Sequence, residues 1–171
     1  VVYSDFDINK HTINRADLSK IKMVRYFCGV DWGYEHYGSI VVIGVDVAGN
    51  YYVVEEHAHQ HKDIDQWVTI AKEVKARYGD IPFYADSARP EYVVRFNKEK
   101  IKTVNAVKTV ILGIETVATL MKSDKFFIDY ENSRIFKQGI YIHLCHNTKD
   151  EPVKEYDDVL DSIRYAILSD M

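Results

Sequence analysis

The hydrophobic pattern of the chain changes character once, near residue 60, and that change limits the folds open to it. Before it, Arg25–Trp32, Ser39–Val47 and Tyr51–Glu56 are β-branched and aromatic runs, the last two joined by Ala48-Gly49-Asn50. A tight Ala-Gly-Asn connection between two such runs reads as a hairpin, so three consecutive antiparallel strands are expected. After it, Asp63–Tyr78 sets Ile64, Trp67, Val68, Ala71 and Val74 at helical spacing, with Asp63 as N-cap and Gly79 as stop. Ile81–Ala85 then reads as a short strand ending at Asp86, and Pro90–Asn97 as a helix with proline in its first turn. Ile101–Val104 reads as a strand, Thr109–Met121 as a helix, Ile140–Leu144 as a strand and Tyr156–Leu168 as a closing amphipathic helix. Strand–helix alternation implies parallel pairing. The expected architecture is α/β, a mixed central sheet of three antiparallel strands followed by parallel ones, flanked by helices.

The 171 residues suit one domain, which at this size buries about 70% of the surface its unfolded chain exposes. The composition is globular, with 47% hydrophobic and 28% charged residues, which argues against wholesale disorder. A net charge of −4 excludes a strongly basic nucleic-acid binder, but not a carboxylate site whose bound cations supply the positive charge. Residues 1–24 are polar and lack sustained periodicity, so they read as an N-terminal tether ahead of a domain spanning 25–171. Val1–Lys10 has no signal-peptide character, and no apolar run approaches the roughly 20 residues that cross a bilayer, so a soluble intracellular chain is expected. Cys28 and Cys145 sit far apart in apolar runs and read as buried free thiols.

Three places carry candidate chemistry. Asp31 closes the first strand in Gly29-Val30-Asp31-Trp32-Gly33, and Asp86 closes the fourth in Phe83-Tyr84-Ala85-Asp86-Ser87. A carboxylate outside the carboxyl end of a parallel strand is well placed for a ligand site. The plainer readings are a turn-forming aspartate for Asp31 and a helix cap for Asp86. Asp157, Asp158 and Asp161 open the last helix, where Asp157 or Asp158 could cap it. Asp161 is a full turn inside and beyond capping; pairing with Arg164 or Arg134 is its plainer role. Hard divalent cations favour such oxygen ligands, and a pair of ions about 4 Å apart suits phosphodiester hydrolysis.

Gly-Val-Asp-Trp-Gly at 29–33, Tyr-Ala-Asp-Ser-Ala-Arg-Pro at 84–90, Lys-Thr-Val-Ile-Leu-Gly-Ile-Glu at 108–115 and Asp-Asp-Val-Leu-Asp-Ser-Ile-Arg-Tyr-Ala at 157–166 resemble the C-terminal nuclease domain of tailed-phage terminase large subunits. The resemblance covers about residues 25–170. It implies an RNase H-like fold and endonucleolytic cleavage of double-stranded DNA during viral genome packaging, with two Mg²⁺ or Mn²⁺ ions and little sequence specificity. It implies Asp31, Asp86 and Asp161 as the catalytic, metal-holding carboxylates. Asp158 stands where the family often has histidine, which makes it a fourth candidate ligand. The implied partners are an upstream ATPase domain of the same chain, the terminase small subunit and the procapsid portal, in the cytoplasm of an infected bacterium. The isolated domain is expected to be monomeric. The packaging ATPase is not within this chain, since no Gly-x-x-x-x-Gly-Lys-[Ser/Thr] occurs.

Other RNase H-like phosphodiesterases, of junction-resolvase or integrase type, are the nearest alternative. A catalytically weak DNA-docking domain and an ATPase-like phosphate binder are the others. Lysines and arginines gather in residues 89–137, Lys108 among them, and offer a surface for a duplex backbone. His143 and His146 are candidates for the same face, and Tyr130–Tyr141 for a hairpin or loop beside the site. His57, His59 and His61 alternate on one side of a strand and read as a solvated strand end.

Overall fold

The computed structural model describes residues 3–145 and 157–171. Six strands form one sheet in the order β5-β4-β1-β2-β3-β6. Strands β1 (Met23–Asp31), β2 (Gly38–Asp46) and β3 (Tyr51–His59) are the expected antiparallel trio. The β2–β3 turn is closed by Asp46, whose Oδ1 accepts the Ala48 and Asn50 amides at 3.0 and 2.9 Å, with Gly49 at φ +80°. On one side β4 (Phe83–Ala85) runs parallel to β1 and β5 (Thr103–Asn105) parallel to β4. On the other, β6 (Phe126–Ile128) runs parallel to β3.

Both faces of the sheet are covered, which is why β2 is buried along nearly its whole length rather than alternating. Ile40 and Val42 point to one core, with Cys28, Val30, Trp67, Val68, Ala71 and Phe96. That core lies under α2 (Ile64–Tyr78) and α3 (Pro90–Lys98). The first of these helices starts in a full capping box between Asp63 and Gln66 and stops at Gly79, φ +86°. Val41, Ile43 and Val45 point to the opposite core, with Phe27, Val117, Phe136 and Ile163. Helices α4 (Val110–Lys122), α5 (Arg134–Cys145) and α6 (Asp158–Asp170) cover that side. Among the described residues no helix is long and apolar enough to cross a membrane.

Three sequence expectations are corrected. The strand expected at Ile140–Leu144 and the hairpin or loop expected at Tyr130–Tyr141 are a short 3-10 turn, Tyr130–Asn132, followed by helix α5. Burial of Ile135, Phe136 and Ile140 fits a helical face, and the helix is started from afar: Glu56 of β3 accepts the Ile135 and Phe136 amides at 3.0 and 2.8 Å. The sixth strand is instead Phe126–Ile128, three residues long and too short to show a period. Finally, the segment read as a polar tether packs onto the domain. Tyr3 and Phe6 enter the core, a short helix α1 (Arg15–Leu18) follows, and Thr12 bridges Ile128. Buried His11 accepts the Asp7 amide and bonds Asp124 at 2.8 Å.

Cys28 is a buried free thiol, and Cys145, like His143 and His146, has a side chain outside the described residues. His57 bonds Glu55 at 2.7 Å.

Candidate active site

The site is built where the sheet reverses its connectivity. Strand β1 has an antiparallel neighbour on one side and a parallel one on the other, so Asp31 and Asp86 leave adjacent strand ends in the same direction. The Asp86 amide donates to the Val30 carbonyl at 3.0 Å, and the Trp32 indole donates to the Asp86 carbonyl at 2.8 Å. These two bonds fix the strand ends against each other.

Helix α6 brings the other carboxylates. It lies directly on β1, and a Cβ added to Gly29 would meet the Ser162 carbonyl oxygen at 1.9 Å. Only glycine at 29 permits that approach. The helix is pinned by Ser39 of β2, the residue opposite Asp31 in the β1–β2 register. Ser39 Oγ donates to the Asp158 carbonyl at 2.9 Å and makes a short contact with Ser162 Oγ. Asp158 and Asp161 therefore hang over Asp31 from the first turn of α6.

The plainer readings of these acids fare unevenly. Asp86 does not cap α3, whose N-cap is Arg89; its Oδ1 instead accepts the Ala88 amide at 2.9 Å and Lys108 Nζ at 2.5 Å. Asp157 occupies the N-cap position of α6 without a side-chain capping bond, so capping does not explain Asp158. Asp161 does pair with Arg164, Nη2 to Oδ1 at 2.6 Å. His36 Nδ1 lies 3.4 Å from Asp158 Oδ1.

The electrostatics follow from this crowding. Asp31 is buried, and its pKa is pushed far above the carboxylate range, first by burial and then by the charges of Asp161, Asp158 and Asp86. Asp31 lies against both Asp158 and Asp86. Asp158 is also raised, chiefly by burial. Burial would raise Asp86 too, but Lys108 and the Ala88 amide outweigh it and hold its pKa low. The buried Tyr165 hydroxyl stands in the field of Asp31, Asp161 and Asp86, and its pKa is raised by burial and by those charges.

The four sequence-selected aspartates are thus brought to one place. As the side chains stand, no group of three or more His, Cys, Asp or Glu among the described residues is disposed to hold a metal ion. Lys108 engages Asp86, and Arg164 engages Asp161. The donor set itself, hard carboxylate oxygens gathered around the buried Asp31, suits a hard divalent cation. Sequence reasoning missed Ser39, Ser162, His36 and Tyr165, and placed Lys108 only in a general basic stretch. The register of Ser39 opposite Asp31 was a usable signal; the others depend on how α6 and the 34–37 loop fall.

This mixed sheet, flanked by helices and with acids gathered at its reversal point, is the RNase H-like architecture. The terminase RNaseH-like domain family model matches residues 28–170, and the chain belongs to that family. No curated protein matches it. Among solved structures it is similar to a large terminase from a thermophilic bacteriophage, at TM-score 0.81 and 18% identity. That alignment covers 96% of this chain and 44% of the other, so the chain spans less than half of that protein. The nuclease domain of the bacteriophage SPP1 large terminase, described with bound Mn, matches at TM-score 0.73 and 18% identity over 99% and 98% of the two chains. The large terminase nuclease of thermophilic phage G20c, described with bound magnesium, matches at TM-score 0.66 and 14% identity over 98% and 96%.

Proposed function

We propose that the chain is a divalent-metal-dependent endonuclease that cuts double-stranded DNA during viral genome packaging, with little sequence preference. The observation that carries this reading is the convergence of Asp86, Asp158 and Asp161 on the buried Asp31. Lys108 and Arg164 offset two of these acids, and Asp31 and Asp158 are left for a further cation to compensate. Support also comes from the SPP1 and G20c nuclease domains, which share the fold and were crystallised with Mn and magnesium.

In this reading Asp31, Asp86 and Asp161 hold two Mg²⁺ or Mn²⁺ ions, and Asp158 completes the set. Such ions, when bound, supply an activated water and stabilise the leaving oxygen of the phosphodiester. The chain's own contributions are positional. Gly29 and Ser39 seat α6 so that its acids face Asp31, and Arg164 orients Asp161. Asp31 would hold a cation in its deprotonated form. Arg89, Lys98 and Lys100 meet the duplex backbone.

We further propose an upstream ATPase domain in the full-length protein, with the small subunit and portal as partners, in the cytoplasm of the infected host. The supporting observation is that the longer thermophilic-phage terminase was also crystallised with ATP-γ-S. Linear duplex, RNA–DNA hybrid and four-way junction assayed side by side with Mn²⁺ test the substrate. Cleavage of linear duplex is expected; cutting confined to junctions or hybrids would replace this reading with a resolvase- or RNase H-type one.

A further inference from the structure

The two outer carboxylates each carry a cation supplied by the chain, and those cations differ in freedom. Arg164 is almost fully buried; its stem fills the space that a Cβ on Gly113 would need, 2.5 Å from its Cγ. It cannot leave Asp161 without breaking the α4–α6 contact. Lys108 stands just before α4, one-third exposed, on a flexible four-carbon stem.

Asp86 Oδ1 has two lone pairs, and both are spoken for: one by the Ala88 amide at 2.9 Å, the other by Lys108 Nζ at 2.5 Å. The amide is part of the backbone turn and stays. A metal ion approaching that oxygen at about 2.1 Å must therefore take the lysine's place. We propose that Lys108 is the resident counter-ion of Asp86, displaced when a divalent cation loads, so that this one lysine sets the metal affinity of the site. The inference rests on the metal-site reading above. It deepens that reading by assigning a residue whose role is to offset the charge of Asp86 and to weaken the site's grip on metal. Arg164, locked in place, has no comparable part; it keeps Asp161 aimed in both states.

The test is Mn²⁺ binding by calorimetry to the wild-type chain, Lys108→Met, Lys108→Gln and the control Lys102→Met. Lys102 is exposed and pairs with none of the four carboxylates. Both Lys108 variants are expected to tighten Mn²⁺ binding about tenfold, and the control to change it less than about twofold. A crystal structure with Mn²⁺ is expected to show the Lys108 ammonium beyond hydrogen-bonding distance of Asp86. Unchanged or weaker binding in the Lys108 variants, or equal tightening in the control, overturns the inference while leaving the metal site standing. Mn²⁺ binding to neither the wild type nor the variants overturns the metal-site reading itself, and this inference with it.

Discussion

Gly29 of β1 and Ser162 of α6 touch backbone to backbone: the place of a Cβ on Gly29 lies 1.9 Å from the Ser162 carbonyl oxygen. That contact sets the height of α6 above the sheet, and so the distance of Asp158 and Asp161 from Asp31. Gly29→Ala must push the helix away, and overpacking of this kind costs about 1–3 kcal/mol. Urea denaturation is expected to show that loss, together with weaker Mn²⁺ binding. Wild-type stability in the variant would mean α6 does not sit on β1 as described.

Arg164 is buried beside Asp161, with Nη1 lacking a hydrogen-bond partner among the described residues. Breaking such a pair leaves an uncompensated charge, and since Asp161 is one-third exposed the cost is put at about 2 kcal/mol rather than the full buried-pair value. Arg164→Met is therefore expected to lower the melting temperature, and Mn²⁺ to restore part of the loss by neutralising Asp161. A variant that melts like wild type, or that Mn²⁺ does not help, contradicts this.

Glu56 starts α5 from the neighbouring strand by accepting the Ile135 and Phe136 amides. Glu56→Ala removes both acceptors, at a cost of about 1–2 kcal/mol, near the top of the range for a lost cap. Hydrogen exchange is the sensitive measurement: the first-turn amides of α5 are expected to lose protection before the sheet does.

Glu55 supplies a pH dependence that lies away from the carboxylate cluster. Burial would raise its pKa, but hydrogen bonds from His57, Arg77 and Tyr78 outweigh it and hold the group down at about 2, against an ordinary 4.5. The folded state thus binds the proton less readily than the unfolded state. Its contribution to stability is complete above about pH 4.5 and is lost as pH falls toward 2. Acid titration of stability is expected to be shallower for Glu55→Gln in that window. Parallel profiles would remove Glu55 from the acid response.

Much of this arrangement is legible in the residues. The antiparallel trio and α2 announce themselves by β-branched runs, the Ala-Gly-Asn turn and the Asp63–Gln66 box, all local signals. Asp31 and Asp86 stand out because each closes an apolar strand. The misreadings have a common origin in distance. Ile140–Leu144 alternates like a strand, but Glu56, nearly eighty residues earlier, starts the helix that contains it. Tyr3 and Phe6 look like punctuation in a polar segment until Tyr130 stacks on Phe6 and Phe136 meets it edge-on. The Lys108–Asp86 pair joins two loops whose approach is set by the parallel pairing of β4 and β5, which no local pattern encodes.

The most direct test of the carboxylate centre is plasmid cleavage in Mn²⁺ by Asp31→Asn beside the wild type, with thermal melting as the check on folding. Asparagine keeps the shape of Asp31 but takes away the carboxyl group around which the other acids gather. The wild type is expected to nick and linearise the plasmid, and a folded Asp31→Asn chain to leave it supercoiled. A folded variant that still cuts would place the chemistry elsewhere.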